Sequence, residues 1–102
     1  MRGVIVRYKV KPERAAENAA LVRAVYEELN SSRPAGFRYA TFQLEDGVTF
    51  VHVASMDSAP EDNPLGSSEA FTRFTAAIGE RCDEPPVVTE GQIVGSYSAF
   101  GG

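Results

Sequence analysis

The chain alternates between two hydrophobic periodicities, and their order predicts its architecture. From Val4 to Val10, apolar and polar positions alternate with a period of two, as in a β-strand that buries one face. After Pro12, apolar side chains recur at spacings of three, four and seven, which is typical of an amphipathic helix that ends near Asn30. The apolar members of that helical stripe are Ala15, Leu21, Val22, Val25, Tyr26 and Leu29. The chain therefore begins with a strand followed by a helix.

A tight turn joins two further strands in the middle of the chain. Asp46-Gly47 lies between alternating residues and is typical of a two-residue type I′ hairpin, in which both central positions need positive φ. Counting outward from the turn pairs Glu45 with Val48, Gln43 with Phe50, Thr41 with His52, Tyr39 with Ala54 and Phe37 with Met56. Residues that lie opposite each other share a face of the sheet.

The second half of the chain repeats the order of helix and strand. A turn-rich loop from Asp57 to Gly66 precedes a helix that Ser67 or Ser68 can cap. The helix is indicated by the spacing of Phe71, Phe74, Thr75, Ile78 and Cys82, and Cys82 is interpreted as a small buried hydrophobe. Pro85 and Pro86 are expected to end this helix, so that the fourth strand runs from Val87 to about Ser98.

The order of these elements predicts one domain over residues 1–102. The fold class is α+β, a ferredoxin-like βαββαβ arrangement with a four-stranded antiparallel sheet and two helices on one face. The other face of the sheet is then left without cover. A stable chain of this kind is expected to cover it with a second copy of itself.

The hairpin register predicts which side chains look away from the helices. The apolar set Ala40, Phe42, Leu44, Val51 and Val53 is assigned to the helix-covered core, together with Val4, Val6, Tyr8 and Val10 of the first strand. The mixed aromatic and polar set is assigned to the uncovered face: Phe37, Tyr39, Thr41, Gln43, Phe50, His52 and Met56, joined by Ile5, Arg7 and Lys9. A homodimer through this uncovered face is therefore predicted.

Composition excludes several classes of partner. The net charge of −4 and pI near 4.9 give a field that repels phosphate backbones and anionic lipid, so no nucleic-acid partner is expected. Apolar runs fall far short of the ~20 residues of a membrane-spanning helix, so no membrane partner is expected. A single cysteine and the lack of a charged-then-apolar leader favour a cytoplasmic protein.

The sequence contains few candidate catalytic or ligand-binding residues. No phosphate-binding loop, nucleophile elbow or metal-ligand spacing occurs, so neither a metal nor another cofactor is expected. His52 is the candidate catalytic residue, since an imidazole beside Phe50, Tyr39 and Arg7 could act as a base or orient a ligand oxygen. In the alternative interpretation His52 only forms a hydrogen bond across a dimer interface. Arg7 likewise binds an acidic ligand group or forms a salt bridge between subunits.

The element order, the Asp46-Gly47 hairpin and the stretch from Asn63 through Phe71 and Phe74 to Arg81-Cys82 resemble the dimeric α+β barrel superfamily. Within it, the chain is most similar to small bacterial proteins grouped with the antibiotic biosynthesis monooxygenases. The resemblance implies a homodimer whose sheets meet face to face, with a cavity in each protomer. It also implies oxidation of polycyclic quinol-type substrates by molecular oxygen without metal or flavin, or, in another branch, haem degradation.

Two hypotheses about function follow. Both branches use a tryptophan and an asparagine, and this chain has no tryptophan, so no functional residue is carried over from either. In the enzyme hypothesis, a cofactor-independent monooxygenase-like protein uses His52 as a base on an aromatic or polyketide-like substrate. The ligand-binding residues would be Arg7, Phe37, Tyr39, Thr41 and Phe50. The alternative is a noncatalytic ligand-binding dimer, or a structural or stress-related one.

Overall fold

The computed structural model describes residues 2–56 and 63–97. The strands are β1 (Arg2–Val10), β2 (Phe37–Gln43), β3 (Thr49–Met56) and β4 (Cys82–Gln92). The helices are α1 (Ala15–Ser32), α2 (Glu69–Thr75) and α3 (Ile78–Arg81), with short 3₁₀ turns at Pro12–Arg14 and Pro64–Ser67. The four strands form one antiparallel sheet in the order β2-β3-β1-β4. The predicted α+β, ferredoxin-like fold class is confirmed.

The register of the central hairpin agrees with the sequence, although its turn differs. Gln43 pairs with Phe50, Thr41 with His52, Tyr39 with Ala54 and Phe37 with Met56, as predicted. The type I′ turn was wrong, because positive φ occurs at Gly47, at 76°, and not at Asp46. The Asp46 carboxylate instead accepts hydrogen bonds from the backbone N–H groups of Val48 and Thr49, at 3.0 and 2.8 Å. A hydrogen bond from the Thr49 hydroxyl, followed by these two backbone bonds, lowers the pKa of Asp46 to about 2.

The helices lie on the side of the sheet that carries His52, so the predicted assignment of the hairpin faces was wrong. Tyr8 pairs directly with Phe50, and Val6 with His52, so these four residues share a face. Tyr8, Phe50 and His52 are buried there at 2%, 2% and 4% exposure. We call this side the covered face, and it consists of Val6, Tyr8, Val10, Phe37, Tyr39, Thr41, Phe50 and His52. The prediction placed Phe37, Tyr39, Thr41, Phe50 and His52 on the opposite side.

The opposite side, which we call the open face, carries mainly aliphatic side chains. The pairing places Ile5, Val53 and Ala40 in one row and Val87, Arg7, Val51 and Phe42 in the next, and these seven residues define the open face. Ile5, Phe42 and Val87 are 49%, 45% and 64% exposed. The prediction had placed Ala40, Phe42, Val51 and Val53 beneath the helices, whereas Ile5 and Arg7 lie on the uncovered side as expected.

The second helical region is shorter than predicted. The helix breaks after Thr75, and Ala77 adopts a left-handed conformation with φ of 59° before α3 begins. Cys82 starts β4 and is half-buried, so it does not extend the helix. Pro85 and Pro86 lie inside β4 rather than before it. This edge strand tolerates them because it pairs only with β1, and the register shifts beside them.

The connection before α2 is partly outside the described residues. β4 ends at Gln92 and residues 93–97 are not part of a strand, so the prediction that the fourth strand reaches about Ser98 was wrong. The predicted cap of α2 is Ser68, whose hydroxyl accepts from the Phe71 N–H at 3.0 Å. Glu28 of α1 also accepts from the N–H groups of Glu69 and Ala70, at 3.2 and 3.1 Å. The Ser68 hydroxyl also donates to the Glu28 carboxylate, and this bond, followed by those from the two backbone N–H groups, lowers the pKa of Glu28 and ties α1 to α2. No helix among residues 2–56 and 63–97 is long and apolar enough to cross a membrane.

Candidate functional site

His52 lies at the middle of β3, beneath the helices, with both ring nitrogens occupied. Its Nε2 atom is 2.8 Å from the Tyr8 hydroxyl oxygen. Its Nδ1 atom is 2.7 Å from the Tyr39 hydroxyl and 3.1 Å from the Thr41 hydroxyl. Phe74 of α2 covers the imidazole, with ring centroids 5.3 Å apart. The residue therefore links two groups of polar side chains inside an aromatic environment.

The inner group leads from His52 to a buried arginine. Asn18 of α1 donates through Nδ2 to the Tyr8 hydroxyl oxygen at 2.9 Å, and its Oδ1 accepts from Arg81 Nε at 3.2 Å. Asn18 is 0% and Arg81 is 2% exposed. With Tyr39, Thr41 and Tyr26 at the other end, these residues form what we call the buried polar chain: Arg81, Asn18, Tyr8, His52, Tyr39, Thr41 and Tyr26.

Arg81 supplies the positive charge of the buried polar chain. Its remaining guanidinium nitrogens donate to the carbonyl oxygens of Ala76 and Phe74, and the guanidinium carbon lies 5.5 Å from the centroid of the Phe74 ring. Within residues 2–56 and 63–97, no carboxylate forms a salt bridge with it. A buried cation is costly to desolvate, and here carbonyl and amide oxygens with one aromatic face compensate for the loss of water. Each of the three guanidinium nitrogens thus has an oxygen acceptor.

The outer group of the buried polar chain reaches a pocket between α1 and β2. The hydroxyl oxygens of Tyr26 and Thr41 are 2.7 Å apart, and the Tyr26 and Tyr39 rings stack with centroids separated by 5.2 Å. Both tyrosines line a pocket of about 220 Å³, together with Arg33 and Phe37. The pocket therefore combines aromatic surface, phenolic hydroxyls and one cation.

Burial keeps the titratable members of the buried polar chain neutral, apart from Arg81. Desolvation lowers the pKa of His52 to about 4, so the imidazole is uncharged at neutral pH. Desolvation also raises the pKa of Tyr26 to about 12, and the pKa values of Tyr8 and Tyr39 rise further. None of the three phenols ionises near neutral pH. A ligand proton would therefore leave to solvent more readily than to one of these side chains.

The structure brings together most of the predicted site residues. Tyr39, Thr41 and His52 are in direct hydrogen-bond contact, and Phe37 packs against Tyr39 with ring centroids 5.7 Å apart. Phe50 lies deeper and stacks on Tyr8 at 5.6 Å. Arg7 is separated from all of them, since it lies on the open face. There it lines a different pocket of about 270 Å³, with Lys9, Glu84 and Val87 among its other residues.

Sequence reasoning missed four members of the buried polar chain: Asn18, Arg81, Tyr8 and Tyr26. Asn18 precedes Val22 and Val25 by four and seven residues, so it is a polar residue on the buried stripe of α1. Arg81 follows Phe74 by seven and Ile78 by three, again at buried helical spacing. A polar side chain at a buried helical position was the signal that could have found both.

Two further features bear on what this site can bind. A third pocket, of about 350 Å³, is a shallow surface feature lined by Ser67, Ser68, Thr72 and Arg73 at the start of α2. In the described part of the chain, no group of three or more His, Cys, Asp or Glu side chains is placed to hold a metal ion. Two members of the buried polar chain, Tyr26 and Tyr39, line the pocket between α1 and β2, whereas Tyr8 alone lines the pocket near Arg7.

The similarity of this chain to known proteins lies in its three-dimensional structure. No family model and no curated protein matches the sequence. An antibiotic biosynthesis monooxygenase superposes with a TM-score of 0.76 at 22% identity, covering 93% of this chain and 100% of the other. Rv0793 from Mycobacterium tuberculosis gives 0.75 at 22% identity, covering 93% and 96%. SnoaB, a cofactor-independent oxygenase from Streptomyces nogalater, gives 0.67 at 13% identity, covering 93% and 94%. The chain therefore has the ferredoxin-like α+β fold of the antibiotic biosynthesis monooxygenase-like proteins.

Proposed function

We propose that this protein is a homodimeric barrel that binds a small phenol or quinol beside Tyr39 and oxidises it with molecular oxygen, without a cofactor. The observation that carries the proposal is the pocket lined by Tyr26, Tyr39, Phe37 and Arg33. Its wall continues into the buried polar chain, which ends at the buried guanidinium of Arg81. Aromatic surface holds the ring of a ligand, and the donors and cations favour an ionised oxygen on it.

For this reaction the protein needs only to bind the substrate and to stabilise its ionised oxygen. In a phenol or quinol whose para carbon carries hydrogen, the phenolate passes electrons to oxygen and the para carbon forms a C–O bond; a proton from solvent completes the hydroperoxide. Cleavage of the O–O bond with loss of the para hydrogen releases water and leaves a quinone. One atom of O₂ is thus retained and the other leaves as water. SnoaB, with the same fold, is a cofactor-independent oxygenase, which supports this class of reaction.

The size of the pocket limits the substrate. Pockets for drug-sized ligands usually start at about 300 Å³. The volume beside Tyr39 is about 220 Å³, so a ligand with one or two fused rings suits it better than a polycyclic one. We therefore propose a one- or two-ring phenol or quinol, such as a naphthol, rather than the polycyclic quinol expected from resemblance.

A noncatalytic ligand-binding dimer is the second candidate. The observation that favours it is the hydrogen bonding of His52, whose two nitrogens already have partners at 2.8 and 2.7 Å. An imidazole held in this way has no free lone pair to remove a proton from a ligand. In the oxygenase proposal His52 accordingly supports Tyr39, and the ligand loses its proton to solvent on binding.

The proposed homodimer uses the open face. Its two middle rows contain five aliphatic side chains, one aromatic ring and one arginine. A contiguous apolar sheet face of this kind is rare on monomers. The family resemblance supports a second copy of the chain as its cover, with the two sheets packed face to face. Because the helices lie on the other side, each protomer keeps its own pocket beside Tyr39.

The experiment measures oxygen uptake and quinone formation from 1-naphthol, with catalase-sensitive hydrogen peroxide measured in parallel. We expect one O₂ consumed per quinone, no hydrogen peroxide, and a rate above that of buffer alone. Arg33→Gln should slow the reaction at least tenfold at low substrate, while Arg23→Gln, at an exposed site within α1, should not change it. Saturable binding of 1-naphthol without any oxygen uptake would support the noncatalytic candidate instead.

A further inference from the structure

We propose that Arg81 fixes the tautomer of His52 through Asn18 and Tyr8, and thereby makes the Tyr39 hydroxyl a hydrogen-bond donor to the pocket. The pocket then selects aromatic ligands that carry an anionic or carbonyl oxygen and rejects amines. This inference rests on the proposed function only for the location of the ligand. The direction of each hydrogen bond in the buried polar chain follows from the chemistry of its members.

The first step is the orientation of the Asn18 amide. Arg81 can only donate, because a guanidinium has no acceptor. Its Nε lies 3.2 Å from the Asn18 side chain, so the oxygen of the amide must face Arg81. The amide nitrogen then faces the Tyr8 hydroxyl, at 2.9 Å, and donates to it.

The second step is the direction of the bond between Tyr8 and His52. The Tyr8 oxygen accepts from Asn18, and its only other hydrogen-bond partner in the described residues is His52 Nε2, at 2.8 Å. Tyr8 is 2% exposed, so a hydroxyl hydrogen directed elsewhere would be buried without an acceptor. Tyr8 therefore donates to Nε2. A neutral imidazole that accepts at Nε2 carries its hydrogen on Nδ1.

The third step is the direction of the hydrogen bond between His52 and Tyr39, at the edge of the pocket. The Nδ1–H of His52 donates to the Tyr39 oxygen, 2.7 Å away, and more weakly to Thr41, 3.1 Å away. Tyr39 thus uses its oxygen as an acceptor toward His52. Its hydroxyl hydrogen is directed away from His52, where the Thr41 hydroxyl and a ligand oxygen are the competing acceptors. Tyr39 is half-buried and lines the pocket, where Arg33 adds a cation. A ligand oxygen with negative charge satisfies both groups, whereas an ammonium satisfies neither.

The direct test is the tautomer of His52 by ¹⁵N NMR, which is unambiguous because the chain has one histidine. We expect Nδ1–H in the wild-type protein. Asn18→Asp should reverse the direction of the hydrogen bonds in the buried polar chain, because a carboxylate accepts from both Arg81 and Tyr8. Tyr8 must then accept a hydrogen bond from the Nε2–H of His52. The Nε2–H tautomer is therefore expected in this variant, which keeps the shape of the side chain. Nε2–H in the wild type, or Nδ1–H in Asn18→Asp, would overturn the inference.

The second test compares two ligands of similar shape, 1-naphthoate and 1-naphthylmethylammonium, by calorimetric titration. We expect the anion to bind at least tenfold more tightly to the wild type, and Tyr39→Phe to lose most of that preference. Asn18→Asp should also reduce it, because Tyr39 then donates inward to Nδ1. Equal or tighter binding of the ammonium would overturn the inference. Preference for the anion without oxygen uptake would overturn the oxygenase proposal alone.

Discussion

The two faces of the sheet differ in polarity. The face that the helices cover is the more polar one, although a covered face is usually expected to be the more apolar. The covered face, beneath the helices, carries hydroxyls, an imidazole and aromatic rings, and hydrogen bonds satisfy the buried polar atoms of His52, Tyr8 and Asn18. The open face is mainly aliphatic, yet Ile5 and Val87 remain 49% and 64% exposed. Apolar character alone therefore does not identify the face that a protein covers with its own helices. A polar face can be internal when the covering helices bring matching donors, as α1 does with Asn18.

The largest expected difference between the faces is in stability. Phe74 is 4% exposed and contacts Tyr8, His52 and Phe71, so Phe74→Ala should lower the free energy of unfolding by about 3–5 kcal/mol. Phe42→Ala on the open face, where the residue is 45% exposed, should cost about 1 kcal/mol, and more at high protein concentration if the proposed dimer forms. Urea denaturation at two protein concentrations measures both. If both variants lost the same unfolding free energy at both protein concentrations, the two faces would not differ in their contribution to stability.

The second prediction concerns assembly. Ile5→Lys places a like charge on each side of the proposed sheet-to-sheet contact, so the molar mass by light scattering should fall from twice that of the chain to one chain mass. Val94→Lys is the matched control, because Val94 is fully exposed beyond β4 and is not part of the open face. A wild-type protein that is monomeric at micromolar concentration would refute the dimer directly.

The third prediction concerns pH and the covered face. The pKa of His52 is about 4 in the folded protein against 6.5 for the free group, so the unfolded chain binds a proton more readily. The stabilising effect of the neutral imidazole is complete above pH 6.5 and is lost as the pH falls toward 4. Between pH 7 and pH 5 the free energy of unfolding should drop by about 2 kcal/mol from this residue alone.

His52→Gln is the control for that pH dependence, since the amide does not titrate in this range. Its stability, measured by urea denaturation across the same range, should change with pH by about 2 kcal/mol less than that of the wild type. If the free energy of unfolding depends on pH in the same way in both proteins, the imidazole does not experience the desolvation that its burial implies.

The smallest expected effect concerns the attachment of the helices that cover the site. Ser68 accepts from the Phe71 N–H at 3.0 Å and donates to Glu28, so Ser68→Ala should lower the free energy of unfolding by about 1–2 kcal/mol. Ser67→Ala removes an exposed hydroxyl that donates one 3.3 Å bond to Pro64, and should change it by less than about 0.5 kcal/mol. Thermal denaturation of both variants tests the difference, and equal effects would mean that Ser68 does not act as the cap.

The elements and the hairpin register could be predicted because they depend on local chemistry. Alternation along β1 and the flexible Gly47 turn fix the partners Thr41 with His52 and Tyr39 with Ala54 regardless of what covers the sheet. The short α2 and the early start of β4 could not be predicted in the same way. The break at Ala77 and the position of Pro85 inside an edge strand are set by the docking of Arg81 and by pairing with β1.

By itself the sequence determined the order of elements, the pairing of β2 with β3 and the two sets of side chains that share a face. Only the tertiary structure decided which set the helices cover, because that choice depends on the pairing of Tyr8 with Phe50 and on donors that lie far along the chain. Asn18, on α1, and Arg81, at the end of α3, are 63 residues apart and meet only in the folded chain. Their hydrogen bonds make a polar face stable in the interior, and spacing along the chain does not reveal such bonds before the helices are in place.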